Sequence, residues 1–250
     1  MMLEEGRIRI YLADVRPLYE ETLQRKVYEK LPEVRQKKAD ACKMLSARAA
    51  SLAVGFLAEY AVRQEELSYE EIFYEAGGRP VVKRRKGQQP LYISLSHSGD
   101  YAVCALCRQP VGVDIQQGKK IRTGMLRHFM TPKEAAEFCR YYEIDSKSYL
   151  LDDVREKNAP CSDGIQPERG FLSREATEAF FRDWTAKESY MKLTGKGMSL
   201  GFSNLTVDWK NRRISEKTAD NKSARLFWVQ APEGYFMTAC AGEAPQTSRN

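Results

Sequence analysis

The chain has 250 residues, of which 42% are hydrophobic and 30% are charged. These proportions describe an ordinary soluble globular protein and exclude a fully disordered chain. Its 40 basic and 34 acidic residues give a net charge of +6. That charge favours anionic partners without choosing among nucleic acid, nucleotide cofactors and acidic proteins.

The N-terminal sequence MMLEEGRIRIYL begins with acidic residues and has no long apolar run. It therefore predicts neither a signal peptide nor a membrane span, and we expect a cytoplasmic protein with no membrane partner. Among the six cysteines only Cys104 and Cys107 are close, and strand alternation places them on opposite faces. A zinc site is disfavoured, and reduced, mostly buried thiols are expected.

The first elements in chain order are a strand over 7–15, a charged helical stretch over 19–31 and a long helix over 33–62. Four apolar residues at helical spacing form one stripe of the long helix: Ala41, Leu45, Leu52 and Phe56. Arg48 lies on the same stripe. A half-buried guanidinium there needs a carboxylate or a phosphate, unless it reaches the rim of the apolar face.

Three closely spaced strands follow, over 91–96, 101–107 and 111–116. In the third strand, valine and isoleucine alternate with glycine and two polar residues. Asp114 and Gln116 therefore project from one face, beside Gly112, which leaves room for something bulky.

The second half of the chain opens with a capping box at Thr131–Glu134, which predicts a helix to about residue 142. Residues 144–174 form a polar, irregular insertion. Beyond the insertion we predict a helix around 180–192, ended by glycines, and then strands over 204–209, 225–231 and 235–241.

A faint internal repeat indicates the fold class. Tyr101–Ala105 and Phe236–Cys240 each close a strand pair after a turn containing glycine. We therefore predict two similar α+β halves that meet near 108–118. The predicted domains are residues 1–110 and 111–242, followed by a tail over 243–250.

The helix around 180–192 has an unusual face. Phe181, Trp184, Glu188 and Met191 share one stripe, so a carboxylate lies among core-forming residues. Such a carboxylate needs a lysine, an arginine or a metal ion. Lys192, four residues on, offers an ordinary salt bridge, and this alternative stays open.

Together these residues predict metal-assisted phosphoryl-group chemistry. Two carboxylates and an amide oxygen suit a hard cation such as Mg²⁺, and the nearby cations suit a diphosphate. The oxygen donors are Asp114, Glu188 and Gln116, and the cationic groups include Arg48, His97 and Lys192.

Three ordered motifs resemble those of the 4′-phosphopantetheinyl transferases: Ser94-Leu95-Ser96-His97-Ser98, Gly112-Val113-Asp114-Ile115-Gln116 and Trp184-Thr185-Ala186-Lys187-Glu188-Ser189-Tyr190-Met191-Lys192. The resemblance is to the larger, pseudo-dimeric type, which serves polyketide, nonribosomal peptide and often fatty-acid carriers. It runs from about 32 to 207, with no counterpart for 144–174. Three spaced motifs in order are more specific than any one alone.

The resemblance implies an enzyme with coenzyme A in a cleft between the halves. The phosphopantetheine group of coenzyme A passes to a serine hydroxyl of an apo acyl or peptidyl carrier, and adenosine 3′,5′-bisphosphate leaves. It implies Asp114 and Glu188 as Mg²⁺ ligands, with Glu188 also a candidate proton acceptor. It further implies a set of groups that bind coenzyme A: Lys192 and Lys187 on the diphosphate, Ser96 and His97 on the phosphates, Arg48 and Lys37 on the 3′-phosphate. A monomer that binds no nucleic acid is expected.

One departure concerns the metal site. Bacterial members of the family carry glutamate where this chain has Gln116. Mg²⁺ would then be held by two carboxylates, with water or Gln116 completing the shell.

Two other classes of protein remain as alternatives. A metal-dependent nuclease also needs acids, a lysine and a basic surface, but its acid-x-lysine spacing is absent, since Glu188 and Lys192 are four apart. A non-catalytic protein that binds coenzyme A or a carrier would keep Arg48 and His97 without needing Asp114 and Glu188 together.

Overall fold

The computed structural model describes residues 8–67, 72–74, 80–83, 88, 90–144, 170–217 and 222–242. The first half of the chain contains five strands and three helices in this part: β1 (Ile8–Asp14), α1 (Glu21–Lys30), α2 (Glu33–Asp40), α3 (Leu45–Arg63), β2 (Ile72–Tyr74), β3 (Pro80–Val82), β4 (Tyr92–Ser98) and β5 (Tyr101–Cys107). Gly77-Gly78-Arg79-Pro80 predicts a turn and residues 83–87 form a basic run in the sequence, and both stretches lie mostly outside the described residues.

The second half has the same kinds of element in the part that is described: β6 (Val111–Gln117), α4 (Leu126–Phe129), α5 (Pro132–Tyr141), α6 (Arg174–Thr194), β7 (Leu205–Asp208), β8 (Arg213–Glu216), β9 (Ser223–Trp228) and β10 (Tyr235–Gly242). Most of the predicted insertion at 144–174 and the predicted tail lie outside the described residues. Residues 170–172 pair with 121–123 through backbone hydrogen bonds and an isolated bridge.

Each half folds around a five-stranded antiparallel sheet. The strand order is β1-β5-β4-β3-β2 in the first sheet and β6-β10-β9-β8-β7 in the second. Adding five to each strand number converts the first order into the second, so the two sheets share one topology. This confirms the predicted α+β fold with two similar halves, and β5 and β10 are the equivalent strands that the repeat indicated. The division into residues 1–110 and 111–242 stays a prediction.

Alternating side chains place the sheets between two helices. One face of β5, with Ala102 and Cys104, belongs to the core under α3, and the other, with Val103, belongs to a core shared by the two sheets. In the second sheet Met237 joins the shared core, whereas Cys240 packs with α6. The order of layers is therefore helix, sheet, sheet, helix. As predicted, Cys104 and Cys107 lie on different faces, and the described cysteines form no disulfide among themselves.

Local sequence signals account for the ends of two helices in the second half. The predicted capping box starts α5, where Thr131 and Glu134 satisfy each other's backbone N–H groups and Pro132 follows. In α6, Ser173 accepts a hydrogen bond from the N–H of Ala176, and Gly195 ends the helix with φ of 71°.

The prediction of one long helix over 33–62 was wrong. The chain leaves the helical path after Asp40, and α3 starts at Leu45. Leu45 and Phe56 are 56% and 46% exposed, so of the predicted stripe only Leu52 is buried. The reason is that α2 folds back onto α3: a Cβ on Gly55 would lie 2.9 Å from Nε of Arg35.

Helix α3 is long and apolar enough to cross a membrane by length and composition alone, although no span was predicted. More than half of the relevant window is buried inside the protein. Residues such as Leu52 and Ala58 have no exposed surface and pack on the first sheet. This is the pattern of the core helix of a domain.

Candidate functional site

Strand β6 carries the candidate site because one of its faces packs in the core shared by the sheets and the other carries polar residues. Val113 and Ile115 enter the core shared by the sheets, while Gly112, Asp114 and Gln116 alternate with them. A Cβ on Gly112 would lie 1.8 Å from the carbonyl oxygen of Ser189. The space beside this glycine is therefore filled by the backbone of α6, which is why the helix can lie directly against the strand.

Asp114 is held by residues from both halves. Its side chain is 4% exposed, and Oδ1 accepts hydrogen bonds from Oγ of Ser96 on β4 at 2.7 Å and from Nζ of Lys192 on α6 at 2.6 Å. Nζ of Lys192 also donates to Oγ of Ser96 at 2.7 Å. The other carboxylate oxygen, Oδ2, is buried and has no hydrogen-bond partner among the described residues.

Glu188 lies one helical turn before Lys192 and is half-buried. Burial raises the pKa of its carboxyl, the negative charge of Asp114 raises it further, and Lys192 opposes both effects. Within the described part of the chain Glu188 forms no ion pair, because Lys192 is paired with Asp114. The simple Glu188–Lys192 salt bridge was therefore a wrong alternative, and a cation for Glu188 stays a prediction.

His97 lies near these carboxylates and near the positive charges of Lys192 and Arg35. His97 follows Ser96 on β4, and part of its ring is open to solvent. Its pKa is lowered by desolvation and by the charges of Lys192 and Arg35. The structure thus brings five of the predicted site residues close together: Ser96, His97, Asp114, Glu188 and Lys192.

Arg35 is a residue that the sequence reasoning missed. Its side chain on α2 is 5% exposed and donates to the carbonyl oxygen of Ser51 on α3. Its Nε is buried without a hydrogen-bond partner in the described part of the chain. A buried, partly unsatisfied guanidinium close enough to lower the pKa of His97 is a candidate anion-binding group. Because most of α2 is charged, its sequence does not single out Arg35 as a buried residue.

The two residues predicted to bind the 3′-phosphate lie on α2 and α3. Nη2 of Arg48 is 3.5 Å from Oδ1 of Asp40, its guanidinium lies over the ring of Tyr28, and its buried Nε lacks a partner among the described residues. The carboxylate of Asp40 is therefore one anionic partner of the kind that the sequence predicted for the Arg48 guanidinium. Lys37 is largely exposed and pairs with Glu33 at 2.6 Å.

Gln116 and Lys187 are not bonded to the Asp114 cluster. Gln116 shares the strand face of Asp114 and is half-buried, and its amide makes no described hydrogen bond. Lys187 is 3% exposed and donates to the carbonyl oxygen of Phe129 at 3.2 Å. It points to the other side of α6, because consecutive helical residues lie about 100° apart.

Lys187 and Asp183 line a separate cavity of about 480 Å³ between α5, α6 and β7. Burial raises the pKa of Asp183, against the opposing effect of a 2.7 Å hydrogen bond from Nε1 of Trp209. Because the folded pKa is raised, the stability linked to this carboxyl is fully present below pH 3.8 and is lost as pH rises through the folded value.

Asp183→Asn is therefore expected to raise Tm at pH 7, since the amide can still accept from Trp209 and carries no charge to desolvate. The gain should shrink as the pH falls through the raised folded pKa and should be lost below 3.8, the ordinary value. Thermal melts of both proteins across pH 3 to 8 measure it. A variant that is less stable at pH 7 would show that the charge of Asp183 is needed by its neighbours.

The two halves are also joined along the free edge of β6. The backbone N–H of Val113 donates to Oγ of Ser94, and that of Gln117 donates to Oγ of Ser98, each at 3.0 Å. Serines on one face of β4 thus accept hydrogen bonds from backbone N–H groups on the edge of β6 that does not pair with β10. We call these contacts between β4 and β6 the seam, and they hold the strand that carries Asp114.

Ser94→Ala is expected to destabilise the protein by about 1–3 kcal/mol, because a buried N–H loses its acceptor. Ser98→Ala should cost less, since Ser98 is half-buried and Ser94 is 3% exposed. Chemical denaturation of both variants provides the comparison. Equal, negligible losses would mean that the seam does not hold the halves together.

The donor set at Asp114 and Glu188 fits a hard divalent cation. The unpartnered Oδ2 of Asp114 is an orphaned buried acceptor, and two neighbouring carboxylates of which one lacks an ion pair favour a cation between them. In the described part of the chain no group of three acidic, histidine or cysteine residues is placed to hold a metal. Only two anionic ligands are therefore available there.

Comparison with known proteins places these residues in a family. The model of the 4′-phosphopantetheinyl transferase superfamily matches residues 110–240, more than half of the chain. The 4′-phosphopantetheinyl transferase psf-1 of Bacillus pumilus is 31% identical over 157 residues, which are 63% of this chain and 50% of that protein. The 4′-phosphopantetheinyl transferase Sfp of Bacillus subtilis (strain 168) is 26% identical over 60% of this chain and 54% of its own length.

Two further comparisons show how much of each known protein this chain matches. The 4′-phosphopantetheinyl transferase gsp of Aneurinibacillus migulanus is 27% identical over 60% of this chain and 52% of its own length. The chain thus matches about half the length of these curated relatives. The Helicobacter pylori holo-[acyl-carrier-protein] synthase solved with coenzyme A superposes with a TM-score of 0.30 at 18% identity, over 40% of this chain and 97% of its own. At that TM-score the superposition carries no argument.

Proposed function

This chain belongs to the 4′-phosphopantetheinyl transferase superfamily, and we propose that it transfers 4′-phosphopantetheine from coenzyme A to a serine of an apo acyl or peptidyl carrier protein. In this reaction the serine oxygen forms a bond to the β-phosphorus of coenzyme A. The bond from that phosphorus to the bridging oxygen breaks, and adenosine 3′,5′-bisphosphate leaves with the electron pair. The serine proton passes to a base.

The observation that supports the proposal most directly is the buried Oδ2 of Asp114, which lacks a partner in the described part of the chain beside a carboxylate without an ion pair. Asp114 and Glu188 would hold Mg²⁺, and Gln116 lies on the same strand face. When bound, Mg²⁺ supplies electrostatic stabilisation of the charge on a diphosphate.

Glu188 is the proposed proton acceptor. Its raised pKa makes its carboxylate a stronger base than an ordinary one. Lys192, whose ammonium already lies between Asp114 and Ser96, is the proposed contact for the diphosphate, with His97 at the rim. Arg48 and Lys37 remain proposals for the 3′-phosphate, and Lys187 is not brought to this cluster.

The arrangement of the halves supports a monomer. Ser96 comes from the first half, whereas Asp114, Glu188 and Lys192 come from the second, so one chain supplies both sides of the cluster. A coenzyme A diphosphate and a carrier serine could meet there without a second copy.

The test is a transfer assay with purified protein, coenzyme A, Mg²⁺ and an apo carrier, followed by intact-mass measurement of the carrier. We expect one phosphopantetheine group per carrier and no transfer in excess EDTA. A protein that binds coenzyme A but leaves the carrier mass unchanged would be the non-catalytic alternative. Cleavage of nucleic acid without transfer would indicate the nuclease.

A further inference from the structure

The ammonium of Lys192 occupies the position where a positive charge is needed next to Asp114. It lies 2.6 Å from Oδ1 of Asp114 and 2.7 Å from Oγ of Ser96, so it connects α6, β6 and β4. The Lys192 side chain is 29% exposed, whereas that of Asp114 is 6% exposed. The lysine can therefore move towards solvent without moving the carboxylate.

We propose that Lys192 is a positioning residue that neutralises Asp114 in the free protein and is drawn away by the diphosphate of the substrate, so that binding of the diphosphate and of a divalent cation strengthen each other. The inference rests on the proposed function, because it takes the diphosphate and the cation from it. It assigns Lys192 a role beyond contact with phosphate.

Electrostatics supports the competition between the lysine and a divalent cation. A dication next to Asp114 would lie close to an ammonium hydrogen-bonded to the same carboxylate, and like charges at such distances repel strongly when partly buried. Oδ1 is already bonded twice, which leaves Oδ2 as the oxygen available to a cation. The free protein should therefore bind a divalent cation weakly, despite having two carboxylates.

A diphosphate removes this obstacle because its oxygens accept hydrogen bonds from an ammonium and carry negative charge. Lysine is suited to such an exchange, since its flexible stem lets the ammonium move between acceptors. Once the ammonium has moved, Asp114 and Glu188 face the cation without a competing positive charge. By linkage, whatever the diphosphate does to cation affinity the cation does to diphosphate affinity.

The experiment measures Mn²⁺ binding by electron paramagnetic resonance, with and without coenzyme A and with no carrier present, so that no turnover occurs. Mn²⁺ is a suitable probe because it shares the oxygen preference of Mg²⁺. Lys192→Gln keeps a hydrogen-bond donor for Asp114 and removes the charge. Lys192→Arg keeps the charge, and Lys133→Met removes an exposed lysine of α5 as a matched control.

Without coenzyme A, Lys192→Gln is expected to bind Mn²⁺ at least about tenfold more tightly than the wild type, a difference of about 1.4 kcal/mol. Lys192→Arg and Lys133→Met should bind as weakly as the wild type. Coenzyme A should tighten Mn²⁺ binding more in the wild type than in Lys192→Gln. Circular dichroism establishes that each variant is folded.

Unchanged or weaker Mn²⁺ binding by folded Lys192→Gln overturns the inference, as does an equal effect of coenzyme A on both proteins. If Lys192→Gln is unfolded, the wild type and Lys192→Arg still decide, because Mn²⁺ affinity that coenzyme A does not alter in either contradicts the coupling. A wild type that transfers phosphopantetheine without coupling refutes this inference alone. Coupling without transfer refutes the proposed reaction alone.

Discussion

Glu188→Gln is expected to lower kcat for phosphopantetheine transfer by roughly 100- to 1000-fold while leaving the protein at least as stable as the wild type. The activity falls because the amide can neither accept the serine proton nor contribute negative charge to the cation site. Stability does not fall because, within the described residues, Glu188 has no ion pair to lose and its charge is opposed by burial and by Asp114.

The measurement pairs the transfer rate with Tm. Glu178→Gln is the control on the same helix, because Glu178 is exposed and pairs with Arg174 at 3.0 Å, away from the cluster. It should keep wild-type kcat. A Glu188→Gln protein that transfers at the wild-type rate contradicts the role of Glu188, and one that melts at a lower temperature would mean that its carboxylate supports the fold.

Asp114 is expected to behave differently from Glu188 in stability but not in activity. Asp114→Asn should also lose transfer, but it leaves the ammonium of Lys192 without its carboxylate. Removing one partner of a buried pair costs about 3–5 kcal/mol when desolvation is complete, and less here because Lys192 is partly exposed. Replacing Asp114 is therefore expected to lower both stability and activity, whereas replacing Glu188 is expected to lower activity alone.

The sequence predicted the elements of the site better than their contacts. Strand alternation places Asp114 and Gln116 on one face, and three motifs in order identify the family. The partner of Lys192 could not be read, because local spacing shows only Glu188 four residues earlier. Asp114 lies 78 positions away and reaches the lysine only after α6 packs on Gly112.

The same limit explains the errors in the first half. The break between α2 and α3 has no glycine or proline at 41–44, so periodicity alone predicted one helix. Which face of α3 is buried depends on α2 folding back, and this contact also creates the setting of Arg35. Strands β2, β3 and β8, of three or four residues, were not predicted, because segments this short carry little alternation signal.

Arg48→Ala is expected to raise KM for coenzyme A by roughly 10- to 100-fold, with little change in kcat, because a charge-assisted contact of about 1.5–3 kcal/mol is lost far from the reacting phosphate. The lower part of that range is favoured by the structure. The Arg48 side chain is 36% exposed and already 3.5 Å from Asp40, so part of its attraction for an anion is screened or satisfied.

Dephospho-coenzyme A, which lacks the 3′-phosphate, provides the decisive comparison. If Arg48 binds that phosphate, Arg48→Ala should change KM for dephospho-coenzyme A very little, and the four KM values form a cycle whose coupling belongs to the contact. Arg63→Ala is the control on α3, since Arg63 is exposed and pairs with Glu59 one turn away. Equal increases for both substrates would instead mean that Arg48 acts through Tyr28 and Asp40, as a support for the packing of α1 and α2 on α3.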